Sequence, residues 1–122
     1  MQNKRTGPLC YLRTHRRKWG LSQKDLARLI GTIGCAQLSR YENSKRAPKV
    51  EVALACQVIF GVIPSIMFLD TYASVEEEVM RNMARMDEAL ENTTSLTGLR
   101  KRELFSLALG RAIAKHRRSK QL

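Results

Sequence analysis

The feature that most constrains this chain is a pair of short helix-like segments separated by a glycine turn. Residues 22–30 carry Leu26, Leu29 and Ile30 at the three- and four-residue spacing of an amphipathic helix. The next segment is GTIGCAQLSRYEN, residues 31–43. Its first four residues are two glycines on either side of Thr32 and Ile33, and about two turns of a half-polar helix follow. Helices this short are unstable alone, so they must pack on each other and on further helices.

The rest of the chain also has helical periodicity, and no segment alternates like a β-strand, so the sequence predicts an all-α protein. A first helix should end at Gly20, and Ser22 with Asp25 has the spacing of a capping box for the second. Pro48 suits the first turn of a fourth helix, and Pro64 can start a short fifth. The fourth helix should bury Val50, Ala53, Leu54, Val58 and Ile59. The first helix carries Leu9, Leu12 and Trp19, of which Trp19 is expected in the core, and the fifth carries Ile66, Met67 and Leu69.

Two amphipathic helices are predicted in the last part of the chain. Residues 74–77 have the pattern of a capping box that would begin the first of them. The stretch NTTSLTG should interrupt the chain before a last helix that begins at about Leu99. The apolar stripe of the first helix is Val75, Val79, Met83, Met86 and Leu90, and that of the second is Phe105, Ala108, Leu109, Ala112 and Ile113. The sequence therefore predicts a five-helix domain over residues 1–72 and a helical region over residues 73–122.

The charge of the chain is strongly positive and unevenly distributed. Lys and Arg number 22 against 11 Asp and Glu, which gives a net charge of +11. Residues 1–70 hold 12 basic and 4 acidic side chains (+8), residues 71–98 hold 2 and 6 (−4), and residues 99–122 hold 8 and 1 (+7). Such a chain is expected to bind polyanions, with nucleic acid ahead of an anionic membrane.

Several other classes of protein are disfavoured by the sequence. Cys10, Cys35 and Cys56 are widely spaced, which favours reduced thiols in a cytoplasm over a disulfide framework or a zinc site. The first ten residues lack the apolar run of a signal peptide. Residues 52–69 are long enough to cross a membrane, but a glutamine, a glycine and a proline interrupt them. No catalytic, phosphate-loop or metal motif is present, so we expect a binding protein that uses no cofactor and no metal.

Two helices joined by a glycine turn divide the side chains of the second helix between two faces. Leu38 and Tyr41, three residues apart, can anchor this helix to the core. An exposed helix N-terminus fits the DNA major groove, where Gln pairs with adenine and Arg with guanine. The residues left to face outward, and thus predicted to contact bases, are Cys35, Ala36, Gln37 and Arg40.

The stretches LRTHRRKWGLSQKDLARLIG and LSRYENSKRAP resemble the Cro/lambda-repressor-like helix-turn-helix family, also called XRE. The resemblance covers roughly residues 9–69, about half of the chain. It implies a five-helix lambda-repressor-like domain, followed here by the two amphipathic helices. It also implies that Gln23, which opens the second helix, contacts a DNA phosphate. In the same way it implies a structural ion pair between Arg16 and Glu42.

The chain departs from the family pattern at two places. One residue more than the usual number separates Gly31 from Glu42, and the extra residue belongs to the turn at residues 32–34. Which residue of the following helix first meets the bases is therefore left open. Ser44 stands where the family usually has a glycine.

Further contacts are expected around the two central helices and in the C-terminal region. Phosphate contacts are predicted at Gln23, Ser39, Lys45, Arg46 and Lys49, although the last three equally suit a solvated polar turn. A base or phosphate contact is favoured over a solvated surface position for Arg40. The candidate dimer seam, which could instead pack inside the chain, consists of Val79, Met83, Met86 and Leu90.

These features predict a sequence-specific regulator of transcription that binds double-stranded DNA. We expect a homodimeric repressor that inserts the helix at residues 35–42 into the major groove at each half of a pseudo-palindromic operator. Its expected place is the cytoplasm of a bacterium or phage-infected cell, near the nucleoid. The alternative is an antitoxin or anti-activator that binds a partner protein through its C-terminal helices.

Overall fold

The computed structural model describes residues 10–121, with the side chains of residues 119–121 outside the description. Within this range the protein has seven helices and no strand, which confirms the all-α prediction. Leu9, predicted on the first helix, lies outside the described residues. The helices are α1 (Leu12–Lys18), α2 (Gln23–Ile30), α3 (Cys35–Glu42), α4 (Val50–Phe60), α5 (Pro64–Met67), α6 (Leu69–Ala89) and α7 (Leu96–Gln121).

The chain forms two compact units, and the boundary between them falls between Ser74 and Val75, inside α6. The first unit contains α1 to α5 around one apolar core. The backbone N–H of Tyr11 donates to the carbonyl of Met67 at 2.8 Å, which ties the start of α1 to the end of α5. The buried apolar side chains of this unit are Cys10, Leu12, Leu26, Ala27, Leu38, Tyr41, Val52, Cys56, Met67 and Phe68.

Local sequence signals set most of the helix ends in the first unit. Ser22 and Asp25 form the predicted capping box, with both hydrogen bonds at 3.0 Å. Gly31 ends α2 in the left-handed conformation (φ 88°), which only glycine adopts without strain. Pro64 is in the first turn of α5. Pro48, however, is not in the first turn of α4, because that helix begins at Val50 with Lys49 as its N-cap.

The predicted face of α4 is right for Ala53 and Ile59, which are half-buried and pack against the core, and wrong for its other three residues. Val50 and Val58 are 70% and 85% exposed, and Leu54 is also exposed, whereas Val52 and Cys56 are buried. Because α4 has apolar residues on every side and only two polar ones, Glu51 and Gln57, its periodicity could not indicate which face meets the core. Two other residues predicted to be buried, Trp19 and Leu29, are exposed as well, because Trp19 follows the end of α1 and Leu29 lies off the buried face of α2.

The two long helices begin earlier than the sequence predicted. Residues 74–77 lie inside α6 and do not cap it, because no glycine or proline interrupts the helix that starts at Leu69. The last helix begins at Leu96 and not at Leu99. Its start is set by Ser95, whose hydroxyl accepts a 3.0 Å hydrogen bond from the backbone N–H of Gly98.

The second unit is a hairpin of α6 and α7 in which Gly98 is the one fully buried residue among those whose burial is described. Arg102 donates to both carboxylate oxygens of Asp87, at 2.8 and 3.4 Å. Lys115 donates to Glu76 at 2.9 Å, farther from the connecting loop. No residue of α6 is buried. A groove of about 740 Å³ lies between the helices, and its apolar lining includes Met80, Met83, Ala84, Leu99, Phe105 and Leu109.

Across the described part of the chain, none of the helices is both long enough and apolar enough to cross a membrane.

Candidate nucleic-acid interface

The centre of the candidate site is the pair of helices α2 and α3 with the turn between them. The turn occupies residues 31–34, and α3 begins immediately after Gly34, which adopts an extended backbone and lacks a capping side chain. Leu38 and Tyr41 are buried at 0% and 1% exposure, as the sequence predicted, and fix one side of α3 against the core. The additional turn residue is thus accommodated before α3 without loss of its packing face.

The four predicted base-contacting residues occupy the first part of α3 and its outer side. Cys35, Ala36 and Arg40 are exposed. Gln37 is half-buried, and its side-chain N–H donates to the hydroxyl of Tyr41 at 3.0 Å. The structure therefore leaves three of these side chains on the surface and holds the fourth against a core residue. The Gln37–Tyr41 contact was missed from the sequence, although the four-residue spacing on one helix would allow it.

The other end of α3 is fixed by a buried carboxylate. The Glu42 side chain is inaccessible to solvent and accepts hydrogen bonds from Arg16 at 2.6 and 3.1 Å, so the ion pair implied by the resemblance is formed. Arg16 also donates to the carbonyl of Leu21 at 2.9 Å, in the connection between α1 and α2. A buried ion pair is favourable when further hydrogen bonds satisfy the remaining polar atoms, and here they do.

Two more side chains join this network, and neither was expected there. Gln23, predicted to contact a phosphate, donates its amide N–H to Glu42 at 3.1 Å. Arg13 lies 3.4 Å from Glu42 and also donates to the side-chain oxygen of Asn43. The position of Arg13 three residues before Arg16, on the same face of α1, was the available signal. We name Arg13, Arg16, Gln23 and Glu42 the carboxylate network.

The carboxylate network sets the protonation state of Glu42. Burial by itself would raise the pKa of this carboxyl. The hydrogen bonds from Arg16, Gln23 and Arg13, together with the positive charge of Arg16, outweigh burial and leave the pKa of Glu42 below its ordinary value. Glu42 is consequently ionised at neutral pH and holds α1, α2 and α3 together through one charged group.

Polar and basic residues follow α3 at the surface. Lys45, Arg46 and Lys49 are exposed, and Ser39 is half-buried with its hydroxyl 3.3 Å from the side-chain nitrogen of Asn43. Ser44 has a φ of 58°, the one positive value for a non-glycine residue among residues 10–121. This is the position at which the family usually has a glycine, so the chain here accepts a backbone conformation that glycine favours.

The predicted dimer seam lies on the second unit. Val79 and Met86 are 46% and 49% exposed, whereas Met83 and Leu90 are half-buried. Met83 also lines the groove between α6 and α7, so the stripe is divided between the inside of the hairpin and its surface. Among the described residues, no group of three or more His, Cys, Asp or Glu side chains could hold a metal ion.

Two short helices joined by a glycine turn, the second exposed at its N-terminus and held by a core, define a helix-turn-helix domain. Comparison with protein families agrees, because residues 12–65 match the family model described as Helix-turn-helix. Residues 12–65 thus form a helix-turn-helix domain of the XRE type, as the resemblance implied, and this domain supports a DNA-binding regulator of that kind. No curated protein and no solved structure matches the chain.

The carboxylate network leads to a prediction about stability. Replacing Glu42 with Gln should lower the free energy of unfolding by about 3–5 kcal/mol, because Arg16 would remain buried without its counter-charge. Chemical denaturation at neutral pH measures this difference. Glu51→Gln is the matched control, since Glu51 is exposed on α4, and it should change stability by less than about 0.5 kcal/mol. Equal stabilities of the two variants would contradict a central role for Glu42.

The same variant should have a characteristic pH dependence. The folded-state pKa of Glu42 is lower than its ordinary value of 4.5, so its contribution is complete above that value and is lost as the pH falls through the folded pKa. The difference in unfolding free energy between the wild-type protein and Glu42→Gln should therefore narrow as the solution is acidified. A difference that widens at low pH would show that the sign of the shift is wrong.

Proposed function

We propose that the protein is a sequence-specific repressor of transcription that binds double-stranded DNA as a homodimer. The observation that carries this proposal is the placement of α3: its inner side chains and its C-terminal carboxylate are buried, while Cys35, Ala36 and Arg40 are exposed. A rigid helix with a free outer face is suited to the major groove. The proposal involves no catalysis and no cofactor, and it places the protein in the cytoplasm of a bacterium or of a phage-infected cell.

The proposed contacts divide into base reading and phosphate binding. Gln37 would pair with adenine and Arg40 with guanine, and Cys35 or Ala36 would lie against a thymine methyl group. Gln23 and the exposed basic residues after α3 would neutralise or bind phosphates on either side, which supplies sequence-independent affinity. The proposed phosphate set is Gln23, Ser39, Lys45, Arg46 and Lys49. Occupation of an operator by such a protein would repress by excluding other proteins from the same DNA.

The α6–α7 hairpin supports the homodimer. A hairpin of two helices with no buried residue on α6 leaves apolar surface that a stable fold must cover. A second copy could cover the stripe of Val79, Met83, Met86 and Leu90 with the same stripe, as a two-fold symmetric interface requires. Two copies would present their α3 helices to half-sites about one DNA turn, roughly 34 Å, apart.

The same surface is also the reason to retain a second candidate function. An antitoxin or anti-activator would use the hairpin to bind a different protein, and the apolar stripe with its acidic flank would suit that role equally. The two proposals differ in the oligomeric state of the purified protein, because only the repressor proposal requires a homodimer.

Insertion of α3 into DNA can be tested with a thiol reagent. Cys35 is exposed, whereas Cys10 and Cys56 are buried and burial raises the pKa of Cys56 to about 12. We expect one thiol to react rapidly in the folded protein and three in denaturant. Operator DNA should slow the reaction of Cys35 at least tenfold. The two buried cysteines are internal controls for unfolding, and an unchanged Cys35 rate on saturating DNA would contradict groove insertion.

The two kinds of contact should respond differently to substitution. Arg40→Ala should cost about 1–3 kcal/mol on the preferred DNA and relax the choice of one base pair. Lys45→Ala should weaken binding by a similar factor on every sequence and reduce the salt dependence of binding by about one counterion. Binding titrations at several salt concentrations separate these effects. A uniform loss for Arg40→Ala would make that residue a phosphate contact, and wild-type protein without any sequence preference would exclude the repressor.

The dimer seam can be disrupted without altering the first unit. Val79→Glu with Met86→Glu should convert the dimer to a monomer in sedimentation measurements, because two charges would be buried in an apolar interface. Operators with two half-sites should then lose affinity, whereas single half-sites should not. Asn92→Glu with Thr94→Glu, two exposed loop positions, is the charge-matched control. A doubly substituted seam that still dimerises would exclude this interface, and a monomeric wild-type protein would favour the partner-binding candidate.

A further inference from the structure

Tyr41 makes a hydrogen bond outside the core that its ring helps to form. The side chain is 1% exposed, and its hydroxyl is nevertheless satisfied by the amide N–H of Gln37 at 3.0 Å. Gln37 is one helical turn earlier on α3 and half-buried, among the residues whose outer side is available to a ligand. The contact thus joins a core side chain to a surface side chain within a single helix.

The hydrogen bond restricts the orientation of the Gln37 amide. If Gln37 turned away, the Tyr41 hydroxyl would be buried without its partner, which is unfavourable. A glutamine amide has two N–H donors and one carbonyl oxygen. Tyr41 takes one donor, so the carbonyl oxygen and the second donor remain, and these are the two groups with which glutamine pairs with adenine. A side chain that is held before binding also loses less conformational entropy on binding.

We infer that Tyr41 is a positioning residue for sequence readout: its buried hydroxyl holds the Gln37 amide in the orientation that presents one acceptor and one donor to an adenine. This inference rests on the proposed reading of bases by α3. It adds a residue that never touches DNA to the determinants of specificity. It also gives the two parts of the Tyr41 side chain different roles: the ring stabilises the fold, and the hydroxyl contributes to base specificity.

The test compares base preference in full-length variants. Double-stranded DNA containing a randomised region is selected with the wild-type protein, and the preferred sequence is then varied one base pair at a time. Tyr41→Phe keeps the ring and removes the hydroxyl. It should reduce discrimination at one base pair by about two- to tenfold, with the affinity for unrelated DNA and the salt dependence unchanged. Gln37→Ala should reduce discrimination at the same base pair by about fivefold or more.

Two further variants make the result specific. The double variant Tyr41→Phe, Gln37→Ala should be no less selective than Gln37→Ala alone, since the hydroxyl acts only through the amide. Val52→Ala removes two buried methyl groups from α4, so it should lower stability without altering base preference.

The outcomes separate this inference from the proposed function. Loss of selectivity at one shared base pair in both single variants would support it. The inference is overturned if Gln37→Ala relaxes that base pair while Tyr41→Phe leaves it intact, or if Val52→Ala relaxes it equally. If Gln37→Ala changes no position, then Gln37 does not read DNA, and the base-reading role proposed for it fails together with the inference.

Discussion

The organisation of the first unit depends on one buried carboxylate. Glu42 at the end of α3 accepts hydrogen bonds from Arg16 on α1 and from Gln23 on α2, so that three helices meet at a single charged group. The helices themselves are seven or eight residues long and could not persist separately. Displacement of α1, α2 or α3 would remove at least one hydrogen bond from this buried carboxylate, and an unsatisfied buried charge is strongly unfavourable. The hydrogen bonds to Glu42 therefore restrict movement of α3 relative to α1 and α2.

Because α3 is held firmly by the core, its exposed side chains form a well-defined surface even in a small domain. The helix is held at its C-terminal end by Glu42 and along its inner side by Leu38 and Tyr41. Its N-terminal end carries no side-chain cap, which leaves the first residues open to solvent. Under the proposed function, less of the free energy of DNA binding would be offset by the entropy cost of ordering α3.

The second unit is held by different interactions from the first. Its two helices are joined by ion pairs between an acidic helix and a basic helix, namely Asp87 with Arg102 and Glu76 with Lys115. These pairs are partly exposed, and such pairs contribute little to stability. Large apolar side chains stay at the surface on both helices, Val79 and Leu107 among them. The ion pairs thus define how the two helices pair, but the hairpin leaves apolar surface exposed, and under the proposed function a second copy would cover it.

Much of the architecture follows from local sequence. Capping at Ser22, termination at Gly31 and initiation at Pro64 each depend on the backbone chemistry of one or two residues, so the order of helices in the first unit could be predicted. The residues that form the helix-turn-helix motif could also be recognised, because their spacing reflects how two short helices pack. The starts of the long helices could not, since no local break precedes Ser74 and since Ser95 acts through a serine hydroxyl that many loops also contain.

The sequence by itself determined that the chain is helical, that α2 and α3 form one motif, and that Arg16 and Glu42 have the residue types of an ion pair. Only the tertiary structure decided which face of α4 is buried, because that helix has apolar residues on all sides and its orientation depends on the neighbours it meets. Only the structure brought Arg13 and Gln23 to Glu42, and Gln37 to the Tyr41 hydroxyl. Hydrogen bonds of this kind depend on the placement of helices to within an ångström, and no periodicity in the sequence encodes that distance.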